Sequence, residues 1–311
     1  MTYLIGPDVD TPRNLPGFRM WLQKQWAPTG LFTQAALLQS EDKFVQEHDT
    51  YLSIDRRFDA RALPDAGLYW VDKEICSLVQ QTAPNLPRTT LTPELTPEPK
   101  GFIWLEEPLI GQPAADVVGI TDPIVVRAIL WGPARIPPGR EALGIGLYGD
   151  RNLDEGKRFF YPLGRTDWIP GTDTDEPITD TIGEDEQRSA SMAEDRRFLA
   201  TILLLMGQTN VTEQRTTEPA KQAKRKVQRA GFGTDVRVIS ARRRPHEALE
   251  DPTGQRPVDW SHRWIVGAHW KQVVYGPGGS LRRPQLILPY IKGPEDKPLL
   301  TKDTVRVLKD S

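Results

Sequence analysis

The segment "ALGIGLYG", residues 142–149, decides which kind of fold this chain can adopt. Its glycines match the G-x-G-x-x-G pattern of dinucleotide-binding proteins, which requires a helix to begin where the pattern ends, so that the helix N-terminus meets phosphate. The residues that follow, "DRNLDEGK", have no apolar helical face. Leu143, Ile145 and Leu147 instead alternate with their neighbours as on a β-strand. We therefore predict a strand whose glycines face the other side, and no nucleotide-binding turn.

The regions on either side of this strand predict a sheet with helices before it. Turns rich in Gly and Pro separate the strand-like segments "GFIWL", "IVVRAILW" and "RFFYPL". Helical spacing is clearest in residues 30–48 and is also found in residues 68–81. Between them and the sheet, "APNLPRTTLTPELTPEPKG" predicts an extended, polyproline-like connection. Residues 1–170 are therefore expected to form an acidic α+β domain with a partly antiparallel sheet.

The acidic residues 171–190 separate this region from a basic one. They contain few apolar side chains and predict a flexible linker. After it, "MAEDRRFLATILLLMG" and "TTEPAKQAKRKVQRAG" predict two helices, each ending at a glycine. We expect residues 191–311 to form a basic α+β domain in which this helix pair precedes a small, mostly antiparallel sheet. Its predicted strands are Asp235–Ala241, Arg263–Tyr275, Gln285–Ile291 and Thr304–Leu308.

The amino-acid composition argues against several kinds of site and several classes of protein. The single cysteine, Cys76, cannot form an internal disulfide or a cysteine-based zinc site. The N-terminus lacks the pattern of a secretory signal, and the longest apolar run, "FLATILLLM", is too short to span a bilayer. The sequence therefore predicts a cytoplasmic protein without a membrane partner. Four histidines without metal-ligand spacing, and no P-loop, predict neither a metal site nor a cofactor.

Charge is distributed unevenly along the chain. The net charge of −2 combines about −13 over residues 1–195 with about +11 over residues 196–311. A basic half of this kind is typical of proteins that bind nucleic acid or another polyanion. The predicted helix from residue 216 to 231 concentrates this charge, and an arginine run follows the next strand. The candidate phosphate contacts are Lys221, Lys224, Arg225, Arg229, Arg242, Arg243 and Arg244.

The stretch "HRWIVGAHWKQVVYGPGG", residues 262–279, is a second candidate site. As one strand it has an apolar face, and an opposite face on which His269 lies between cations. Cations beside aromatic rings on an open sheet are what single-stranded nucleic acid uses for phosphate pairing and base stacking. The expected members of this surface are Arg263, His269, Lys271, Arg282, Arg283, Tyr290 and Lys292.

Two other functions stay open. His269 could act as a general acid or base in a metal-independent, toxin-like ribonuclease, with Arg or Lys stabilising the pentacoordinate phosphate. Alternatively, the charge asymmetry could direct binding to another protein, as in a protein-interaction or host-modulating factor. The same residues also fit a packed strand in which His269 is simply hydrogen-bonded.

The C-terminal region resembles a family of uncharacterised bacterial, plasmid and phage-borne proteins. The shared core is W-x-V-x-G-H-W-[RK]-x-Q-x-Y, followed by an arginine-bearing turn and I-x-P-x-x-K-G-P. Here the first part is carried by Trp264, Val266, His269, Trp270, Lys271, Gln272 and Tyr275. Ala268 occupies the position of the family's glycine, and Gln272 lies one place before the position of the family's glutamine. The second part is carried by Arg282, Arg283, Pro289, Tyr290, Lys292, Gly293 and Pro294. The resemblance implies a shared architecture and a mobile-element origin, and it implies no activity.

Overall fold

The structure is a computed structural model in which the chain forms two compact units, Met1–Ala241 and Arg242–Ser311. Each unit is described by itself below. The described residues are 7–30, 32–33, 58–110, 125–136, 139–152, 158–176, 186–242, 262–279, 281–294 and 296–299. Of the predicted helix at 30–48, only residues 30, 32 and 33 are among them, and the predicted strand Thr304–Leu308 lies outside them.

The first unit is built on one seven-stranded mixed sheet, in the order β5-β4-β3-β2-β1-β7-β6. β1 is parallel to both of its neighbours, β2 and β7, and the other pairs are antiparallel. The prediction of an α+β fold with a partly antiparallel sheet is therefore confirmed. The strands are β1 (Gly67–Val71), β2 (Gly101–Ile110), β3 (Val125–Ile136), β4 (Arg140–Asn152), β5 (Arg158–Trp168), β6 (Thr212–Thr217) and β7 (Val236–Ala241).

The glycine-rich segment is a strand, β4, as predicted. Its glycines make room for the helical residues 58–62, which lie against this face of the sheet. A Cβ atom at Gly144 would lie 2.6 Å from the Phe58 ring, and one at Gly146 would lie 3.1 Å from Asp59 Oδ1. The glycine spacing therefore serves close packing of helix on strand, and not phosphate binding.

Helices cover both faces of the sheet. On one face, Phe18 and Leu22 of α1 pack against Phe102, Trp104 and Tyr148 in a continuous apolar core. Alternate strand residues point to the opposite face, where α2 packs on β2 and β7 and α3 contacts β5 and β6. The four helices named here are α1 (Leu15–Gln25), α2 (Lys73–Thr82), α3 (Glu186–Met206) and α4 (Lys221–Arg229).

The helical prediction for residues 68–81 is wrong in its first part. Residues 68–71 belong to β1, which is buried between two parallel neighbours, an environment that favours aromatic and β-branched side chains. Asp72 ends the strand and begins α2, because its Oδ1 accepts a hydrogen bond of 2.9 Å from the backbone N–H of Ile75. The apolar spacing alone did not separate the two elements.

The observed division of the chain differs from the predicted one. Of the proposed linker at 171–190, Asp173 forms a β-bridge with Thr90, residues 177–185 lie outside the described residues, and residues 186–190 belong to α3. The predicted C-terminal helix pair belongs to the first unit, with β6 between the two helices in the chain. Because β7 pairs with β1, residues 186–241 complete the large sheet. The change in charge does not mark a structural boundary.

The second unit contains two antiparallel strand pairs among its described residues. The predicted strand Arg263–Tyr275 is interrupted at Gly267 and Ala268, and its two parts take different partners. Leu286 is fully buried in this unit. The strands are β8 (Trp264–Val266), which pairs with β11 (Tyr290–Lys292), and β9 (His269–Tyr275), which pairs with β10 (Leu281–Ile287). No described helix, in either unit, has the length and apolar character needed to cross a membrane.

Candidate nucleic-acid interface

Helix α4 presents a dense basic surface. Five of its nine residues are Lys or Arg, and Val227 is its only buried residue. Ala220, Ala223 and Ala230 are exposed, and the helix is held through Val227 and the buried Pro219 just before it. Almost the whole circumference of α4 is therefore open to solvent.

The charges on α4 lie close together without matching acids. Lys221 and Arg225, and Arg225 and Arg229, are spaced four residues apart, where like charges face each other and repel. Within the described part of the chain, Lys224 alone of the five cations forms an ion pair, with its Nζ 2.6 Å from Glu218 Oε2. That hydrogen bond lowers the pKa of the Glu218 carboxyl. Four cations of one short helix thus face water.

The end of α4 is fixed by its backbone. The N–H of Phe232 donates to the Val227 carbonyl at 3.2 Å, and the N–H of Gly231 donates to the Gln228 carbonyl at 2.9 Å. This is the Schellman arrangement, and Gly231 takes the positive φ of +80° that it requires. The predicted glycine stop is confirmed, and the basic face is held on a defined helix.

A polar cleft lies directly beside α4. It has a volume of about 690 Å³ and is lined by Gln228 of α4, Thr216 of β6 and Arg237 of β7. Arg19 of α1 also lines the cleft. Its guanidinium donates to the Ala66 and Gly233 carbonyls at 2.6 Å each. Burial lowers the pKa of Arg19 to about 10, against the opposing effect of the Asp65 carboxylate, so Arg19 stays charged at neutral pH. The cleft therefore offers both donors and acceptors.

The orientation of Arg237 depends on two residues that the sequence did not indicate. Arg237 donates to Glu98 at 2.9 Å and to the Tyr69 hydroxyl, which in turn donates to Glu98. Its guanidinium also lies 5.1 Å from the centre of the Tyr69 ring. Burial raises the pKa of Tyr69, as does its hydrogen bond to Glu98, so the phenol stays protonated. No local motif marks this cluster because its members lie on β1, β7 and the loop before β2.

In the second unit, β9 and β10 bring part of the predicted sheet surface together. Lys271 pairs in register with Gln285, and Val273 pairs with Arg283, so the side chains of Lys271 and Arg283 lie on the same face as His269 and Tyr275. His269, Lys271 and Arg283 are exposed. The Arg283 guanidinium lies 5.1 Å from the centre of the Tyr275 ring. One face of this strand pair therefore combines cations, an imidazole and an aromatic ring.

The imidazole of His269 is oriented by its own backbone. Nδ1 lies 3.0 Å from the carbonyl oxygen of Gly267. Because a carbonyl oxygen only accepts hydrogen bonds, Nδ1 carries the proton and donates it. In the neutral ring, Nε2 then has the free lone pair. The ring can accept a proton or hydrogen-bond a ligand through Nε2 while it stays exposed.

The remaining predicted residues do not join this face. Arg282 lies on β10 but, opposite Val274, it points to the other side. Tyr290 and Lys292 lie on β11, which pairs with β8. Arg263 holds the chain, because its Nε donates to the Lys297 carbonyl at 2.9 Å. Arg242 is exposed at the start of the second unit, and Arg243 and Arg244 lie outside the described residues.

Metal ligation has no geometric basis in the described parts of the two units, where no group of three His, Cys, Asp or Glu side chains could hold an ion. The free Cys76 thiol is buried, and burial raises its pKa to about 12, which keeps it unreactive at neutral pH.

Comparison of the chain with models of known protein families, with curated proteins and with solved structures found no match. The function is therefore inferred from the basic surface of α4 and the β9–β10 face.

Proposed function

We propose that this protein binds nucleic acid, and that α4 makes its principal contacts with phosphate. The observation that carries the proposal is the set of four cations on α4, Lys221, Arg225, Lys226 and Arg229, which form no ion pair with any carboxylate in the described residues. A helix that only packed on the protein surface would gain from acids among these bases. The absence of such acids makes α4 less stable by itself, and it leaves the cations available to attract a polyanion.

The chemistry of the polyanion follows from the spacing of these cations. Successive turns of α4 place Lys221, Arg225 and Arg229 along one short line, as phosphates are placed along a nucleic-acid backbone, and Lys226 lies about 100° around the helix from Arg225. Each neutralised phosphate releases a condensed counterion, so binding is expected to weaken steeply with salt. The adjacent polar cleft, with Thr216, Gln228 and Arg237, offers hydrogen-bonding groups to a base or sugar edge.

The β9–β10 face supports a preference for single strands. Lys271 and Arg283 can contact phosphate, and Tyr275 offers a ring on which a base can stack, as on single-strand-binding sheets. A duplex keeps its bases stacked on one another and gives Tyr275 nothing to stack on. We therefore expect single-stranded DNA or RNA to bind more tightly than a duplex of the same sequence.

Fluorescence anisotropy with labelled single-stranded DNA, RNA and duplex DNA of one sequence tests the proposal. In R225Q/R229Q we expect roughly a tenfold rise in Kd at low salt. The plot of log K against log salt has a negative slope, and its magnitude should decrease by about 1.4 for a single strand. Each lost phosphate contact lowers that magnitude by about 0.7. Absence of binding to every probe would overturn the proposal and leave a protein partner as the surviving expectation.

The matched control is K73Q/R88Q, which removes the same charge elsewhere in the first unit. Lys73 and Arg88 are exposed, and among the described residues the only ion pair of Arg88 is a long contact of 3.9 Å with Asp175. We expect this variant to bind with nearly wild-type affinity and an unchanged salt slope. If it loses as much affinity as R225Q/R229Q, net charge and not α4 determines binding.

Cleavage of RNA is a second candidate function, favoured by the orientation of His269. His269 is exposed on the same face as Lys271, and its Nδ1 lies at the Gly267 carbonyl, which leaves Nε2 to move a proton beside a charged phosphate. The test is incubation with RNA in the presence of chelator, followed by a denaturing gel. His269→Asn keeps a side-chain amide that can donate to the Gly267 carbonyl but removes the base. Cleavage that survives both H269N and H269A would exclude this role.

A further inference from the structure

A second cleft in the first unit shares no lining residue with the polar cleft beside α4. It forms where the end of β3 and the start of β4 meet the end of β5 and the loop before β2, and its volume is about 690 Å³. This size is typical of sites for small organic molecules. The proline-rich segment "APNLPRTTLTPELTPEPKG", which has no part in the proposed function, supplies one of its walls.

The walls of this cleft are apolar and rigid. Phe58, Leu91 and Leu143 line it, together with Pro93, Pro99, Pro133 and Pro170. The proline-rich loop is anchored, because Leu91 donates to the Thr172 carbonyl at 3.0 Å and Gly171 donates to the Leu91 carbonyl at 2.9 Å. Proline rings fix the backbone, so little order is lost when a ligand enters. The cleft is therefore preformed for an apolar body.

Three arginine side chains also line this apolar cleft. Arg61 and Arg135 line it and are exposed, and neither guanidinium forms an ion pair with a carboxylate among the described residues. Glu141 is opposite Arg135 in the strand register but is not paired with it. Arg165 is different: its guanidinium donates to Asp167 at 2.6 Å and lies 4.9 Å from the Phe58 ring centre, so it forms part of the wall.

We propose that this cleft binds a small organic anion. The apolar body of the ligand packs against Phe58, Leu143 and the proline rings, and its carboxylate, phosphate or sulfonate group is held by Arg61 and Arg135. Arg61 and Arg135 bind the charge because their guanidinium groups are not engaged by any carboxylate of the described residues. A neutral ligand of the same shape gains the apolar contacts alone. The inference does not depend on nucleic-acid binding.

The probes that test this are 8-anilinonaphthalene-1-sulfonate and its neutral analogue N-phenyl-1-naphthylamine, each titrated into the full chain and followed by fluorescence. In R61Q/R135Q we expect Kd for the sulfonate to rise by about tenfold or more, while Kd for the neutral analogue stays within about twofold. Thr96→Trp, in the half-buried loop residue that lines the cleft, should weaken both probes by filling it.

K73Q/R88Q is the control for charge, and far-UV circular dichroism checks that each variant folds. Equal sulfonate affinity in wild type and R61Q/R135Q would overturn the proposal, as would failure of the wild-type protein to bind the sulfonate. An equal loss in K73Q/R88Q would also overturn it, because the effect would then reflect net charge. Nucleic-acid affinity of R61Q/R135Q should match that of wild type, which separates this site from α4.

Discussion

Helices α3 and α4 are successive helices of the same unit, but their side chains have different roles. Those of α3 stabilise the fold, and those of α4 form the proposed binding surface. The apolar residues Phe198, Leu199 and Ile202 of α3 are buried, and α3 contacts β5, β6 and α2. In α4, Val227 alone is buried. Both helices carry cations, but Arg196 and Arg197 of α3 are engaged by the protein, whereas four of the five cations of α4 face water. The same residue type thus builds the fold in one helix and forms a binding surface in the other.

The arginines show this contrast most clearly. Arg196 of α3 is 2% exposed and donates to the backbone carbonyls of Asp167, Thr174 and Glu176. It thereby holds the loop after β5 against the helix. Arg225 of α4 has no partner of this kind among the described residues. A buried cation with several acceptors is needed for folding, whereas an exposed cation without acceptors is free for a ligand.

The largest expected effect is on the buried arginine. Arg196→Met keeps the aliphatic volume but leaves three carbonyls without their donor, so we expect the free energy of unfolding to fall by about 3–5 kcal/mol. The measurement is urea denaturation followed by tryptophan fluorescence. Arg197→Met is the control, because Arg197 is partly exposed and its ion pair with Asp175, at 2.8 Å, is worth about 1 kcal/mol or less. Equal losses in the two variants would contradict the contrast.

Local sequence pattern predicted the elements whose environment is simple. β4, with alternating apolar residues and glycines, was predicted as a strand, and α4 was predicted with its stop at Gly231. β6 was missed because it is a polar edge strand with one buried residue, so it has no apolar alternation to detect. β1 was misread because its strand character comes from burial between β2 and β7, which are distant in the chain.

The candidate site was predictable in composition but not in arrangement. The basic residues of α4 lie within nine residues of one another, so sequence alone placed them on one helix. The β9–β10 face depends on which strand pairs with which, and the break at Gly267 divides the predicted surface between two strand pairs. Tyr69 and Glu98, which position Arg237, come from segments that meet only in the folded chain. Register and tertiary pairing are not encoded in any short window.

A smaller, pH-dependent effect is expected from Asp195 of α3. Burial, with a smaller contribution from the Glu194 carboxylate, raises the pKa of this carboxyl to about 8, and Arg196 opposes the shift. The folded state therefore holds a proton that the unfolded chain has released, and stability should fall as pH rises from about 4 to about 8. One proton limits the slope to about 1.4 kcal/mol per pH unit, and the partial exposure of Asp195 reduces it.

Asp195→Asn tests this directly. The amide does not titrate, so unfolding free energies measured at several pH values should show a shallower fall for D195N than for the wild type. Glu194→Gln is the neighbouring control and should leave most of the slope in place. A slope that is the same in D195N and the wild type would show that Asp195 does not carry this effect.

The smallest expected effect has the opposite sign to the functional one. In R225Q/R229Q the like-charge contacts along α4 are removed, and each such contact costs about 0.2–0.5 kcal/mol. We therefore expect this variant to unfold with a free energy a few tenths of a kcal/mol above that of the wild type, while its affinity for nucleic acid falls. Lys224→Gln is the comparison, because it breaks the pair with Glu218 and should give no gain. If R225Q/R229Q were instead destabilised by more than about 1 kcal/mol, these arginines would have a packing role like that of Arg196, and the contrast between α3 and α4 would fail.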